Sequence, residues 1–225
     1  MQYSIQGGTL PAVIIKLQPG EAVISQAGGR TWVRGRVRAE TTGEGGIGRA
    51  LGRMFSGESL FMSRYTAQEP AEIAFSSSFP GTIIKRTLQE GESVIAQKTA
   101  FLCATPEIEL ELHFQKKLGV GFFGGEGFIM QRISGPGTVF LEIDGYCQEY
   151  DLAQKEELTC DTGVLALMDA SCKMDIRRVK GVKNVLFGGE GLFDTVITGP
   201  GKVYLQTMTI PKLAALMTPF LPHKN

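Results

Sequence analysis

One phrase occurs twice in this chain, and it limits what the chain can fold into. Residues 123–141 read FGGEGFIMQRISGPGTVFL and residues 187–205 read FGGEGLFDTVITGPGKVYL, so an offset of 64 residues (187 minus 123) superimposes them. A degraded third copy begins at Phe55 and ends near Ala71. The sequence therefore predicts three internal repeats of one structural unit.

Glycine and proline mark turns within this phrase. Glycine permits a positive φ, and a proline between two glycines fixes φ at a tight turn. The segments between the turns, residues 128–133 and 192–197, are rich in aromatic and β-branched residues, which is typical of strands. The predicted turn glycines are Gly124, Gly125, Gly127, Gly188, Gly189 and Gly191.

Each repeat also opens with the same hairpin. The segment LQPGEAVI at residues 17–24 matches LQEGESVI at 88–95, and residues 152–158 resemble both more faintly. We expect repeats at 11–80, 82–145 and 146–208 within one domain of residues 1–210. Turn signals at about ten-residue spacing predict an all-β fold, with a sandwich or barrel-like core of the double-stranded β-helix type.

The last residues, 211–225, are predicted to form a short helix and a tail. Pro211 suits a first helical turn, and Leu213, Leu216, Met217 and Phe220 would share one apolar face. This helix either closes an open end of the β core or binds a partner.

Composition excludes some classes of function. Twenty-three basic and twenty-three acidic residues cancel, so net charge does not favour nucleic acid as a partner. The sequence shows neither a secretory signal nor a long apolar window, and we predict a cytoplasmic protein. Four cysteines without Cys-x-x-Cys spacing are predicted to be buried free thiols, and no cofactor is indicated. They are Cys103, Cys147, Cys160 and Cys172.

Charged residues alternate along one predicted strand of each repeat. The rows are Arg34, Arg36 and Arg38; Glu107, Glu109 and Glu111, followed by His113; and Lys173, Asp175 and Arg177. Alternation would place each row on one side of its strand. In the second repeat, Ile108, Leu110, Leu112 and Phe114 would then face the core.

Three interpretations of these rows remain open. They can form a solvated outer face whose arginines and glutamates pair across strands or between subunits. Glu109, Glu111 and His113 can chelate a metal from one side of a strand. The arginine row can also bind a phosphate backbone.

No catalytic constellation is evident. Glu58, Glu126 and Glu190 occupy one position repeated three times, which favours an architectural role such as accepting backbone N–H bonds. Neither a nucleophile elbow nor a phosphate-binding loop occurs. We therefore predict no enzyme activity, no catalytic residue and no bound metal.

Apolar residues in the glycine-rich connectors are candidate interaction loops. They are Ile47, Leu51, Phe55, Phe122, Phe123, Leu186 and Phe187. Such residues would expose an apolar patch unless something covers it. They can fold back on the core, mediate self-association, or dock on a membrane or a protein partner.

The two copies of FGGEG with their Gly-Pro-Gly turns, together with FSGESLFMSRYT at residues 55–66, resemble a known family. It is the family of bacterial and archaeal relatives of the mitochondrial biogenesis protein named for altered inheritance of mitochondria. The resemblance covers about residues 1–210. It implies an all-β fold similar to the tryptophan RNA-binding attenuation protein, repeated within the chain. It implies no established enzyme activity, and its mitochondrial members are associated with inner-membrane organisation and respiratory assembly.

Three hypotheses for function follow. The first is a non-enzymatic structural or scaffold protein that assembles with copies of itself, with a membrane surface or a protein as a further partner. The second is a small-ligand or nucleic-acid binder that uses the arginine row. The third is an enzyme acting through Glu109, Glu111 and His113, which would need a stoichiometric metal.

Overall fold

The computed structural model describes residues 1–41, 62–116, 127–178 and 193–220. Strand β1 (Gln2–Gln6) precedes the repeats, and the described residues of each repeat form six strands. The first repeat contains β2 (Ala12–Leu17), β3 (Ala22–Gln26), β4 (Trp32–Arg34), β5 (Val37–Thr41), β6 (Met62–Ala67) and β7 (Ala71–Ser76). The second contains β8 (Gly81–Leu88), β9 (Ser93–Gln97), β10 (Phe101–Ala104), β11 (Glu109–Lys116), β12 (Phe128–Ser134) and β13 (Gly137–Asp144). The third contains β14 (Cys147–Leu152), β15 (Glu157–Asp161), β16 (Leu165–Asp169), β17 (Lys173–Arg178), β18 (Phe193–Thr198) and β19 (Gly201–Gln206).

A short helix ends the described chain. Helix α1 (Ile210–Met217) is capped by Thr209, whose side chain accepts a hydrogen bond from the Lys212 N–H. A 3₁₀ turn (Thr218–Phe220) follows it, and another (Lys98–Ala100) lies between β9 and β10.

The repeats share one pattern of antiparallel pairing. In each repeat the sixth strand pairs with the first and the third, and the fifth strand pairs with the second and the fourth. Every repeat is therefore two half-sheets of three strands. The second strand of one repeat also pairs with the third strand of the next, as β3 with β10 and β9 with β16. We call these two pairings the internal junctions.

The internal junctions convert six half-sheets into four sheets. Sheet 1 has the order β1-β2-β7-β4, and sheet 4 has the order β15-β18-β17. The two between them are six-stranded: sheet 2 is β5-β6-β3-β10-β13-β8, and sheet 3 is β11-β12-β9-β16-β19-β14. Sheets 1 and 4 thus each contain a single half-sheet, while every other half-sheet is joined to one from a neighbouring repeat among the described strands.

Three apolar cores lie between successive sheets. The first, between sheets 1 and 2, includes Phe75 and Phe140. The second, between sheets 2 and 3, includes Leu141 and Leu167. The third, between sheets 3 and 4, includes Phe128. Because sheets 2 and 3 carry a core on each face, their central strands are buried on both sides, and all four residues of β10 are buried.

Recurring turn residues have definite roles. The carboxylates of Glu21, Glu92 and Glu156 each accept a hydrogen bond from the backbone N–H three residues earlier, at 2.8, 2.7 and 2.7 Å. The Gly-Pro-Gly turn of the second repeat must begin with a glycine, Gly135, because a Cβ there would lie 2.5 Å from the carbonyl oxygen of Gln89. The close approach of the hairpin between β8 and β9 therefore requires a glycine at this position.

The prediction of an all-β fold with a short C-terminal helix is confirmed, and the sandwich form is the one observed. Among the described residues the sheets remain open, so they do not form the alternative closed barrel.

Candidate functional site

Most residues of the predicted interaction loops and turns lie outside the described residues. This applies to Ile47, Leu51, Phe55, Phe122, Phe123, Leu186 and Phe187, and to Gly124, Gly125, Gly188, Gly189 and Gly191. The repeated glutamates Glu58, Glu126 and Glu190 are in the same segments. Gly127 is described and has a φ of 86°, which favours glycine.

The arginine row does not occupy one strand, and that prediction was wrong. Arg34 ends β4 in sheet 1, and Arg38 lies on β5 in sheet 2. Gly35, with a φ of 94°, lies between these strands. Each arginine pairs with a separate carboxylate, Arg34 with Glu72 at 3.5 Å, Arg36 with Glu69 at 2.9 Å and Arg38 with Glu40 at 2.7 Å. Each guanidinium group therefore belongs to its own ion pair, and the turn at Gly35 separates Arg34 on β4 from Arg38 on β5.

The glutamate row keeps the predicted alternation as far as Glu111, since Glu107, Glu109 and Glu111 are exposed and Ile108 and Leu110 are buried. Glu107 precedes β11 in a turn, whereas Glu109 and Glu111 lie on its exposed side. A register shift between Leu112 and Phe114 ends the alternation, and Leu112 is 47% exposed instead of facing the core. Burial and the nearby Arg132 charge lower the pKa of His113. Within the described ranges, no group of three His, Cys, Asp or Glu side chains is arranged to hold a metal ion.

Cysteine burial follows the prediction in part. Cys103 and Cys172 are buried free thiols, and Cys147 and Cys160 are half-buried free thiols. Burial raises the pKa of all four, that of Cys160 to about 12. The protonated thiol is the favoured form of each of these side chains.

The predicted apolar face at the C-terminus is largely exposed, although Leu213 is half-buried. Leu216, Met217 and Phe220 are 64%, 49% and 83% exposed. The alternative in which helix α1 closes an open end of the core is therefore wrong for these three side chains. Among the described helices, none has the length and apolar character needed to cross a bilayer.

A cleft of about 690 Å³ lies beside the first internal junction. Its walls include Arg30, Thr31, Ser78, Phe101, Glu142 and Asp144. Burial raises the pKa of Glu142 to about 7, although the Ser78 N–H donates to its carboxylate at 2.7 Å. Burial likewise raises the pKa of Asp144 to about 6. Both carboxyl groups can therefore exchange a proton near neutral pH. Sequence reasoning missed them because their alternation with Leu141 and Ile143 resembles an ordinary half-exposed strand.

Two strand edges differ from all their internal counterparts. Strand β4 pairs with β7 and strand β15 pairs with β18, and the other edge of each has no partner strand among the described residues. Yet β4 is the third strand of its repeat and β15 is the second strand of its repeat, the two positions that form the internal junctions. We call β4 and β15 the terminal edges.

Burial changes sharply between the internal junctions and the terminal edges. Cys103, Leu167 and Trp32 hold one position, because each pairs with the fourth residue of the sixth strand in its repeat. Cys103 and Leu167 are 0% exposed, whereas Trp32 is 43% exposed. Strand β15 is likewise exposed at Glu157, Thr159 and Asp161. Among the described strands, the two halves of a third junction are therefore left unpaired, one in the first repeat and one in the third.

Comparisons with known proteins agree with this architecture. The family model described as mitochondrial biogenesis AIM24 matches residues 3–208. An uncharacterised protein of Streptococcus pyogenes serotype M6 is 28% identical over 221 residues, which are 94% of this chain and 87% of that protein. The crystal structure of protein SPYM3_0169 from Streptococcus pyogenes superimposes with a TM-score of 0.78 at 24% identity, covering 98% of this chain and 99% of that chain. This likeness shows the shared fold. Because the family model spans nearly all the repeats, the chain belongs to the mitochondrial biogenesis AIM24 family.

Proposed function

We propose that this protein is a non-enzymatic structural protein that assembles with copies of itself. The observation that carries the proposal is the pair of terminal edges, since every other second or third strand of a repeat is joined to a neighbouring repeat. An exposed strand edge offers unpaired N–H and C=O groups to another chain. Self-assembly would give these groups the partners that their internal equivalents have.

Several features support a structural role over catalysis. The arginines of the predicted rows form exposed ion pairs with nearby carboxylates, and such pairs contribute little energy and no reactive group. The duplicated residues with clear roles, Glu21, Glu92 and Glu156, satisfy hairpin backbone groups. We propose a cytoplasmic location for this assembly, and nucleic acid is not part of the proposal because the net charge is zero.

Native mass spectrometry of protein purified without added ligand tests the proposed self-assembly. The expected result is a discrete or graded series of masses in multiples of the 24.4 kDa chain, increasing with protein concentration. A single species of one chain at every concentration, up to the solubility limit, would contradict the proposal.

The exposed apolar face of α1 supports a further contact, with a protein or a membrane surface. Apolar side chains projecting from a short helix commonly enter a groove or an interfacial layer. Co-sedimentation with phosphatidylcholine and phosphatidylglycerol vesicles tests the membrane alternative, with Leu216→Ser as the matched variant. Binding that the substitution removes supports a membrane contact, and absence of binding leaves the protein partner.

A second candidate function is binding of a small cationic ligand in the cleft that holds Glu142 and Asp144. The favouring observation is that two buried carboxyl groups line a cleft large enough for a small molecule. Calorimetric titration with a simple diamine at pH 8 tests it. Saturable binding that Glu142→Gln weakens supports this function, and heats that are identical for both proteins oppose it.

A further inference from the structure

We infer that β4 of one copy of this chain pairs with β15 of a second copy, in the register of the two internal junctions. This inference rests on the proposed self-assembly and specifies its interface. The partner is a second copy because the chain itself contains both halves of the junction, at the opposite ends of the order of its four sheets.

The register follows from the repeat pattern. At the internal junctions, Ser25 lies opposite Cys103, and Ala96 lies opposite Leu167. Ser25 and Ala96 are each the fourth residue of a five-residue second strand, and the fourth residue of β15 is Cys160. Trp32 holds the position of Cys103 and Leu167. The inferred pairing therefore places Cys160 opposite Trp32.

The neighbouring positions follow the same register. Ile24 lies opposite Ala104, and Ile95 lies opposite Met168. The equivalent pair at the inferred interface is Thr159 opposite Val33. Thr159 is polar and exposed, whereas both isoleucines are apolar and buried. The edge of β15 can therefore be exposed to water before assembly.

Burial of Trp32 supplies an apolar driving force. Each internal junction joins the second strand of one repeat to the third strand of the next, and the facing residues border the core of the earlier repeat. Cys103 accordingly belongs to the first core and Leu167 to the second. Cys160 is packed against the third core. Pairing would therefore place the Trp32 ring beside Cys160 at the margin of the third core, where its exposed surface would be removed from water.

Charge favours this pairing over pairing of two identical edges. Exposed Arg30 and Arg34 flank β4, and exposed Glu157 and Asp161 stand at the two ends of β15. In the antiparallel register, the Arg34 end of β4 lies beside the Glu157 end of β15. Two β15 edges would instead bring like charges together, so head-to-tail contact is selected.

No core joins sheet 1 to sheet 4 among the described residues, because each of the three cores lies between sheets that are adjacent in the order. The two edges are therefore separate surfaces of one molecule. A contact between different surfaces of successive copies is heterologous, and it forms rings or open chains.

Cysteine cross-linking tests the inferred register. In Trp32→Cys, the new thiol would face Cys160 of a second copy at the separation of an antiparallel pair, about 4.5–5.5 Å between Cα atoms, which suits a disulfide. A mild oxidant such as diamide accepts the two electrons and two protons released by the two thiols. The expected product is a ladder of covalently linked chains on a non-reducing gel, absent from Trp32→Ser and from Trp32→Cys combined with Cys160→Ser.

The chain provides a matched positive control. Ser25 lies opposite Cys103 at an internal junction, so oxidised Ser25→Cys should form a disulfide within one chain and remain monomeric on the gel. A disulfide within one chain of Trp32→Cys would overturn the inference by showing that the edges close internally. Oligomers of the Trp32→Cys protein without any cross-link would overturn the inferred interface and leave self-assembly standing. A Trp32→Cys protein that neither assembles nor cross-links, while the unaltered chain is also monomeric, would remove both proposals.

The unaltered protein permits a second measurement that does not depend on a variant. Trp32 is the single tryptophan of the chain, so its fluorescence reports this edge alone. We expect the emission to shift to shorter wavelength, and quenching by acrylamide to fall at least twofold, as protein concentration increases through assembly. Assembly that leaves both properties of Trp32 unchanged would overturn the inference.

Discussion

The internal junctions and the terminal edges use equivalent strands in opposite environments. At the internal junctions, β3, β9, β10 and β16 are central strands, and Cys103 and Leu167 are fully buried. At the terminal edges, β4 and β15 belong to the same positions of the repeat, yet Trp32 and Thr159 are exposed. The comparison shows that each repeat has two strands that can pair with other repeats, its second strand with the following repeat and its third strand with the preceding one. A finite number of repeats therefore leaves two complementary surfaces.

The largest expected difference concerns stability. Leu167→Ala removes a fully buried side chain from the second core and should lower the free energy of unfolding by about 4 kcal/mol. Trp32→Ala, at the equivalent terminal position, should lower it by only about 2 kcal/mol in dilute solution, because the residue is already 43% exposed. Chemical denaturation at low protein concentration measures both values. Similar losses for the two variants would contradict the distinction between junction and edge.

A second prediction uses the carboxyl groups of sheet 2. Glu142 and Asp144 of β13 correspond to Ser76, the last residue of β7, and to Ser78, which lies just after that strand, because β13 and β7 occupy the same place in their repeats. Burial raises the pKa of Glu142 from 4.5 to about 7, so the folded protein binds a proton more tightly than the unfolded chain. The contribution of Glu142 to the free energy of unfolding should therefore be greatest below pH 4.5. It should decline as the pH rises from 4.5 to about 7.

The variant Glu142→Gln should remove this decline and gain up to about 3 kcal/mol relative to the unaltered chain at pH 8. The amide keeps an oxygen that can accept from the Ser78 N–H. Denaturation curves from pH 4 to pH 8 provide the measurement, with the exposed Glu90→Gln as the control. An unaltered pH slope in Glu142→Gln would show that this carboxyl group does not cause it.

A smaller effect is expected from charge at the terminal edges. Arg34→Glu should weaken assembly by about 1 kcal/mol, or about fivefold in the dissociation constant, because it would put a negative charge opposite Leu158, one residue from Glu157 of the next copy. Arg34→Glu combined with Glu157→Arg should recover most of the loss. Sedimentation velocity at low salt measures the change. Equal weakening by the single and the double variants would indicate that these charges do not meet.

The smallest effect is expected at the ion pair just after β4, where the chain has left the terminal edge and turns toward β5. Arg36 pairs with Glu69 at 2.9 Å, and its side chain is 75% exposed. Arg36→Glu should cost less than about 1 kcal/mol of stability and should leave assembly unchanged. A thermal melt and a sedimentation run check the two expectations. A large loss of assembly would place Arg36 in the interface and would require a different register.

The sequence predicted the repeating parts of the fold because those parts depend on local signals. Turn glycines, Gly-Pro-Gly and alternating apolar residues mark each strand and hairpin, as at Gly135 and Val139–Ile143. The junctions were not predicted, because strand pairing between repeats joins residues far apart in sequence, such as Ser25 and Cys103. Spacing alone does not identify such partners.

Two local errors have physical causes. The arginine row looked continuous, but Gly35 adopts a positive φ and turns the chain from sheet 1 to sheet 2. The alternation of the glutamate row holds as far as Glu111, but a register shift between Leu112 and Phe114 ends it, and Leu112 is exposed instead of facing the core. Similarity to the tryptophan RNA-binding attenuation protein stays a prediction, as do the roles of the connectors outside the described residues.

Hydrogen–deuterium exchange at two protein concentrations tests the central claim most directly, since it compares the junctions and the edges in one experiment. Amides of β3 and β9 should be protected at both concentrations, because their ladders are formed within the chain. Peptides containing β4 and β15 should exchange rapidly in dilute solution and become protected together in concentrated solution. Rapid exchange of both strands in a sample that contains oligomers would contradict the account, because the copies would then meet elsewhere.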